Sequence, residues 1–209
     1  MKNDQYAINL RNKMVEEQLI PRGIKSSAVL EAMRNVPRHL FVPEHLRIYA
    51  YNDSPLPIGA GQTISQPYIV AFMTEQLEPM PGMKILEIGT GSGYQAAILG
   101  YLGCRVYTIE RLADLAEQAK MVLADYGNIK IKHDDGYNGW QEEAPFDAVI
   151  VTAAPKAIPE KLVEQLKEGG KMIIPVGETH QTLKIIQKID GRILENDAFY
   201  VRFVPMIKG

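Results

Sequence analysis

The chain has 209 residues, of which 46% are hydrophobic, and a formal charge of −2, a size and balance that suit one α/β unit with a sizeable core. No basic run occurs, so the electrostatic footprint of phosphate binding is missing and nucleic acid is not an expected partner. The single cysteine, Cys104, forbids an intramolecular disulfide, and no apolar run approaches the roughly 18 residues that a membrane helix needs; a monomeric, cytoplasmic chain with no membrane partner is expected.

From residue 5 to about residue 50 the pattern is helical. Tyr6, Leu10, Met14 and Leu19 recur near the helical period, Pro21 and Gly23 break it, and residues 28–35 read as a second short helix. Pro37, Pro43, Pro55, Pro57 and Pro67 punctuate a long irregular stretch containing GQTISQPYIVAFM, residues 61–73. After Pro81-Gly82, β-rich and helical runs alternate: KILEI, GYQAAILGYLG, CRVYTIE, RLADLAEQAKMVLADYG, IKIKH, FDAVIVT, IPEKLVEQLK and GKMIIPV. This alternation is the signature of a parallel sheet covered by helices on both faces. At the end, TLKIIQKI and FYVRFVPM flank the turn pair Asp190-Gly191 and read as a hairpin. The expected fold is therefore α/β: a doubly wound, Rossmann-like, mostly parallel sheet with a C-terminal antiparallel strand pair and an N-terminal helical extension. Residues 1–80 are expected to cover the site and residues 81–209 to form the core, within one compact domain.

The sequence EIGTGSG places Gly89, Gly91 and Gly93 where the first core strand passes into a helix. Glycines there let a ligand approach the main chain, and the helix start offers N–H donors. A dinucleotide loop has G-x-G-x-x-G, whereas here the third glycine comes one residue early and Glu87 precedes the first by two. A pyrophosphate would be repelled by that carboxylate; an ammonium or sulfonium would be attracted. Glu110 ends the second strand, where it can accept from ribose hydroxyls, and Asp135-Gly136 follows the third, where a carboxylate can take an adenine amino proton. Three such positions describe a nucleoside with a positive, amino-acid-like tail, which fits S-adenosyl-L-methionine better than a nicotinamide cofactor. The alternative at each acidic position is a solvated strand end.

EIGTGSGYQAA, VYTIE, DDG and FDAVIVTAAP resemble the successive motifs of class I methyltransferases. With DSPLPIGAGQTISQP before them and LKEGGKMIIPVG and VRFVP after, the chain resembles the protein-L-isoaspartate O-methyltransferase family, colinearly from about residue 30 to 206. The resemblance implies methyl transfer from S-adenosyl-L-methionine, leaving S-adenosyl-L-homocysteine, to the free α-carboxyl of L-isoaspartyl residues in damaged proteins and peptides. It implies that Gln62, Thr63, Ile64, Ser65, Glu87, Ile88, Gly89, Gly91, Gly93, Glu110, Arg111, Asp135 and Gly136 bind the cofactor. For Gln62 to Ile64 the alternative is an ordinary loop.

Ser65 is the expected catalytic residue: its hydroxyl can donate to one carboxylate oxygen and leave the other aimed at the methyl group. The alternative is a helix cap, since Ser65 precedes Pro67. Val201, Phe203 and Val204 are expected to meet the substrate, with residues 201–205 offering backbone groups to an extended peptide. The histidines, His39, His45, His133 and His180, lack metal-ligand spacing, so no metal is expected; His39 and Trp140 read as packing residues. Some relatives carry histidines near Tyr68 to Val70, which this chain does not. Longer relatives continue past VRFVPM, so the contacts of such a tail are not expected. The rivals are a methyltransferase for another carboxylate or small molecule, and a nucleoside-binding module without catalysis.

Overall fold

The computed structural model describes residues 5–208. Seven strands form one sheet in the order β5-β4-β3-β6-β7-β8-β9: β3 Lys84–Ile88, β4 Arg105–Glu110, β5 Ile129–His133, β6 Phe146–Val151, β7 Leu166–Val176, β8 Gln181–Ile189 and β9 Arg192–Val201. The first five of these in sequence pair in parallel, while β8 and β9 run antiparallel. The expected Rossmann-like α/β architecture is present.

The central strands are apolar on both faces because both are covered. On one face Ile85, Val106, Ala148, Ile150 and Ile173 pack with α1 Gln5–Met14, α2 Ser27–Asn35, α3 Pro67–Leu77, α4 Tyr94–Tyr101 and α5 Ala113–Val122, so the N-terminal helices share this core. On the other, Leu86, Ile88, Tyr107, Ile109, Val149 and Val151 pack with Leu162 of α6 Glu160–Glu164 and with Trp140. Trp140 meets Tyr107 edge to face at 5.6 Å, in the packing role expected of it. His39 is buried, with Nδ1 2.6 Å from the Tyr51 hydroxyl. Helix α4 is buried almost all round, which its sequence YQAAILGY permits.

Two expectations need correction. The stretch from Pro37 to Pro67 is not wholly irregular: β1 Leu56–Gly59 and β2 Gln62–Ile64 form a small antiparallel pair, turned by Ala60 and Gly61 at positive φ. The C-terminal hairpin does turn at Asp190 and Gly191, with φ of +51° and +70°. Its second strand, however, is Arg192–Val201 rather than FYVRFVPM. Beyond Val201 the pairing stops, because residues 203–206 bond instead to Gln181 and Ala154.

Candidate active site

The cleft opens at the carboxyl ends of β3, β4 and β6. The strand order proceeds from β3 to β4 and β5 on one side and to β6 and β7 on the other, and open α/β sheets hold ligands at such a switch point.

After β3, Gly89 takes φ +93°, and a Cβ there would lie 2.5 Å from Thr152 Oγ1. Both conformation and space therefore require glycine. Thr152 Oγ1 donates to Gly89 O at 2.6 Å, while the Gly89 and Thr90 amides donate to Ile109 O at 2.9 and 3.2 Å. The loop is thus tied on both flanks, to the end of β4 and to the residue after β6. Gly91 lines the cleft. Gly93 does not; it is the N-cap of α4.

Glu110 is buried, with Oε2 accepting from Gly91 N at 2.8 Å and Oε1 from Leu112 N at 2.9 Å. It fixes the loop to β4, and since an ionised carboxylate has about four acceptor sites, both oxygens can also accept from a ligand. Asp135 acts one step back from the cleft. Its Oδ1 accepts from Tyr137 N at 2.9 Å and caps the turn Gly136–Asn138, while Gly136 forms the lining. A Cβ on Gly136 would run into Ile88 Cγ2.

The structure corrects the expected place of Glu87. This carboxyl is fully buried beneath the loop, in register with Thr108 of β4 and Ile150 of β6, and is not among the residues lining the cleft. Among the described residues neither oxygen has a hydrogen-bond partner; the Thr108 hydroxyl lies 2.6 Å from Thr90 Oγ1. Burial pushes the Glu87 carboxyl up to about 8, with the Thr108 hydroxyl offsetting part of the rise and Glu110 adding to it.

The cleft has three adjoining parts of about 590, 410 and 1130 Å³, open mouths included. The first, lined by Gln62, Ile88, Glu110, Arg111, Gly136 and Met206, is a chamber with one carboxylate and one cation. The second lies between Ile64, Ser65 and the glycine loop. The third is a groove lined by Arg22, Tyr68, Phe199, Val201, Phe203 and their neighbours. Thr63 and Thr152 line all three, Ser65 lines the second and third, and Val204 the first and third.

Ser65 does not cap a helix. The N-cap of α3 is Gln66, which makes no side-chain cap bond, and Pro67 opens the helix. Among the described residues the half-buried Ser65 hydroxyl makes no hydrogen bond. The wall opposite is pinned by four bonds: Gln181 Nε2 donates to Phe203 O at 3.0 Å and Phe203 N to Gln181 Oε1 at 2.6 Å. Ala154 N donates to Val204 O at 2.8 Å and Met206 N to Ala154 O at 2.9 Å.

Sequence reasoning missed Thr152, Leu112 and Met206. Thr152 carried a signal, since it directly follows the strand beside β3, where ligands of such sheets gather. Among the described residues no group of three or more His, Cys, Asp or Glu side chains could hold a metal, and no helix is long and apolar enough to cross a membrane.

A Rossmann-like sheet with a glycine loop and a buried acidic residue at the next strand end defines a nucleoside-binding α/β protein. The family model described as protein-L-isoaspartate(D-aspartate) O-methyltransferase matches residues 9–209. A Synechococcus protein-L-isoaspartate O-methyltransferase is 54% identical, the match covering 98% of this chain and 88% of that one. One from Gloeobacter violaceus is 50% identical, covering 93% and 97%. A solved Plasmodium falciparum structure of this description, in complex with S-adenosyl-L-homocysteine, superposes with a TM-score of 0.84 at 31% identity, covering 95% of this chain and 99% of that one. Another solved protein-L-isoaspartate O-methyltransferase gives 0.84 at 30% identity, covering 93% of this chain and 65% of that longer one. The chain belongs to the protein-L-isoaspartate(D-aspartate) O-methyltransferase family.

Proposed function

We propose that the chain transfers the methyl group of S-adenosyl-L-methionine to the free α-carboxylate of L-isoaspartyl residues in damaged proteins and peptides. The observation that carries this reading is the junction of the cleft: Ser65, with an unspent hydroxyl, stands between the part against the glycine loop and the outer groove, beside Thr63 and Thr152, which border every part. A donor in one part and an acceptor in the other would meet there.

The residues of the first chamber suit the cofactor. Glu110 presents acceptors for ribose hydroxyls, and Ile88, Ile109, Leu112 and Met206 give apolar walls for a base. Asp135 shapes the turn that presents Gly136 rather than lining the chamber itself. When bound, S-adenosyl-L-methionine supplies a methyl group activated by its sulfonium. The acceptor carboxylate is already ionised at neutral pH, so no side chain need remove a proton. Ser65 donates to one of its oxygens and turns the other toward the junction. Well-oriented groups gain as much as about 7–11 kcal/mol from positioning, which makes orientation and exclusion of water the main tasks of the protein. Residues 201–204, at and just beyond the end of the edge strand β9, offer main-chain groups to an extended peptide.

Labelled S-adenosyl-L-methionine with matched peptides, identical except for an isoaspartyl or an aspartyl linkage, tests the reading. Label is expected in the isoaspartyl peptide alone. Equal labelling of both, or of neither, would overturn it.

A further inference from the structure

We propose that the outer groove selects isoaspartyl peptides carrying an acidic residue next to the damaged site, and that Arg22 and Arg202 are the residues that read it. The inference rests on the methyl-transfer reading above for the identity of the groove. It concerns a preference among substrates which that reading leaves open.

Among the described residues the groove has two charged lining residues, both arginines, and no carboxylate. On a chain whose formal charge is −2, that local excess is not a general property of the surface. The two cations come from opposite ends of the sequence. Arg22 closes the short turn Ile20–Arg22 in the N-terminal helical region, and Arg202 follows the last residue of β9. Ser65 lines the same groove, so a peptide presenting its carboxylate there lies within a space bordered by both arginines.

Arg22 is held in place. Its guanidinium carbon lies 3.5 Å from the centre of the Tyr68 ring, and Nη1 donates to Asp53 Oδ2 at 2.8 Å. Asp53 in turn accepts from Gln66 through its carbonyl, at 3.1 Å. Stacking and one ion pair orient the planar fork, leaving Nε and Nη2 without a hydrogen bond among the described residues. A fork so held is suited to a carboxylate, which it can meet with two parallel bonds. Asp53 offsets part of the charge of Arg22, whereas Arg202 is exposed and makes no ion pair among the described residues. A lysine or arginine beside the isoaspartyl residue would instead meet like charge in both walls.

The two cations are solvent-accessible, so their effect should be modest. An exposed ion pair changes an equilibrium by at most about fivefold, and salt screens it. The test uses fluorescent isoaspartyl peptides with Glu, Gln or Lys on either side of the damaged residue. Anisotropy gives their affinity for the full chain saturated with S-adenosyl-L-homocysteine, and methylation of the same peptides is followed separately. At low salt the Glu peptide should bind about two- to fivefold more tightly than the Gln peptide and the Lys peptide more weakly. The preference should shrink in high salt, persist in Arg22→Lys, and vanish in the double variant Arg22→Gln, Arg202→Gln. Arg202→Gln alone, at an exposed position without an ion pair, should lower it even where the double variant folds poorly. Equal binding of the three peptides by the wild-type chain, or a preference that Arg202→Gln and the double glutamine variant leave unchanged, would overturn the inference. Binding is read apart from turnover. Charge-blind binding with isoaspartyl-specific methylation sinks this inference alone, whereas a charge preference in binding without methylation sinks the methyl-transfer reading alone.

Discussion

At one end of the cleft the walls are main chain, held by the sheet; at the other they are side chains on segments far apart in sequence. The glycine loop is fixed by bonds from Ile109, Thr152 and Glu110, and below it Ile85, Val106 and Ile150 have no exposure at all. Each such side chain contributes about 1.5–3 kcal/mol by burial. The groove is assembled from Arg22, residues 65–69 and residues 199–204, and its Tyr200 is 82% exposed. The first end can tolerate little change, because loop geometry and core packing depend on the same atoms. The second can vary with what it must accept, at small cost to the fold.

Three perturbations would sharpen or break this contrast. The largest effect is expected from Glu87, whose carboxyl is raised from 4.5 to about 8 by burial at the sheet end. The folded chain then holds more protons than the unfolded chain between those values, so stability is greatest at the acid side and falls as pH rises. A shift of this size is worth on the order of 5 kcal/mol. Denaturant titrations at pH 5 and pH 8.5 should show most of that loss in the wild type, and Glu87→Gln should flatten the dependence; parallel curves would refute it. Next comes Gly89→Ala, which places a Cβ against Thr152 Oγ1 in backbone that side chains rarely adopt. A stability loss of about 1–3 kcal/mol is expected, with cofactor affinity, followed by calorimetry, reduced at least about tenfold. Smallest in its effect on the fold is Ser65→Ala, on the border between the two ends. The value of one charge-assisted hydrogen bond, about 1.5–3 kcal/mol, should come off the rate while melting temperature and cofactor affinity stay near wild type. A full rate would remove Ser65 from the proposed alignment role.

The same contrast explains what could be read in the sequence. Alternating KILEI, VYTIE, IKIKH and FDAVIV foretold the parallel sheet, since strands covered on both faces must be apolar throughout. Gly89, Glu110 and Gly136 were legible as well, because each sits at a strand end where only a few residue types serve. Glu87 was misplaced: sequence gives its distance from the loop but not that the pleat turns it downward, into the layer of Ile85 and Ile150. The pair β1 and β2 was hidden by Pro55 and Pro57, which argue against a strand even though this pair lies apart from the main sheet. Arg22 and Tyr68 could not be joined from sequence at all, as their contact depends on how α3 packs beside the N-terminal turn.

The tip of the last hairpin bears on the molecule's own lifetime. Isoaspartate forms when a main-chain nitrogen attacks the preceding aspartyl or asparaginyl side chain, a closure least obstructed when that nitrogen belongs to glycine. At Asn138-Gly139 the amide of Gly139 donates to Gly136 O at 3.1 Å, and Asn138 Oδ1 accepts from Lys161 at 2.7 Å. At Asp190-Gly191 both residues are exposed, and the amide has only Glu168 oxygens at 3.3 and 3.4 Å. Asp190-Gly191 lies at the end of the β8–β9 ladder opposite Gln181 and Val201, so isoaspartate formed there would stand away from the cleft.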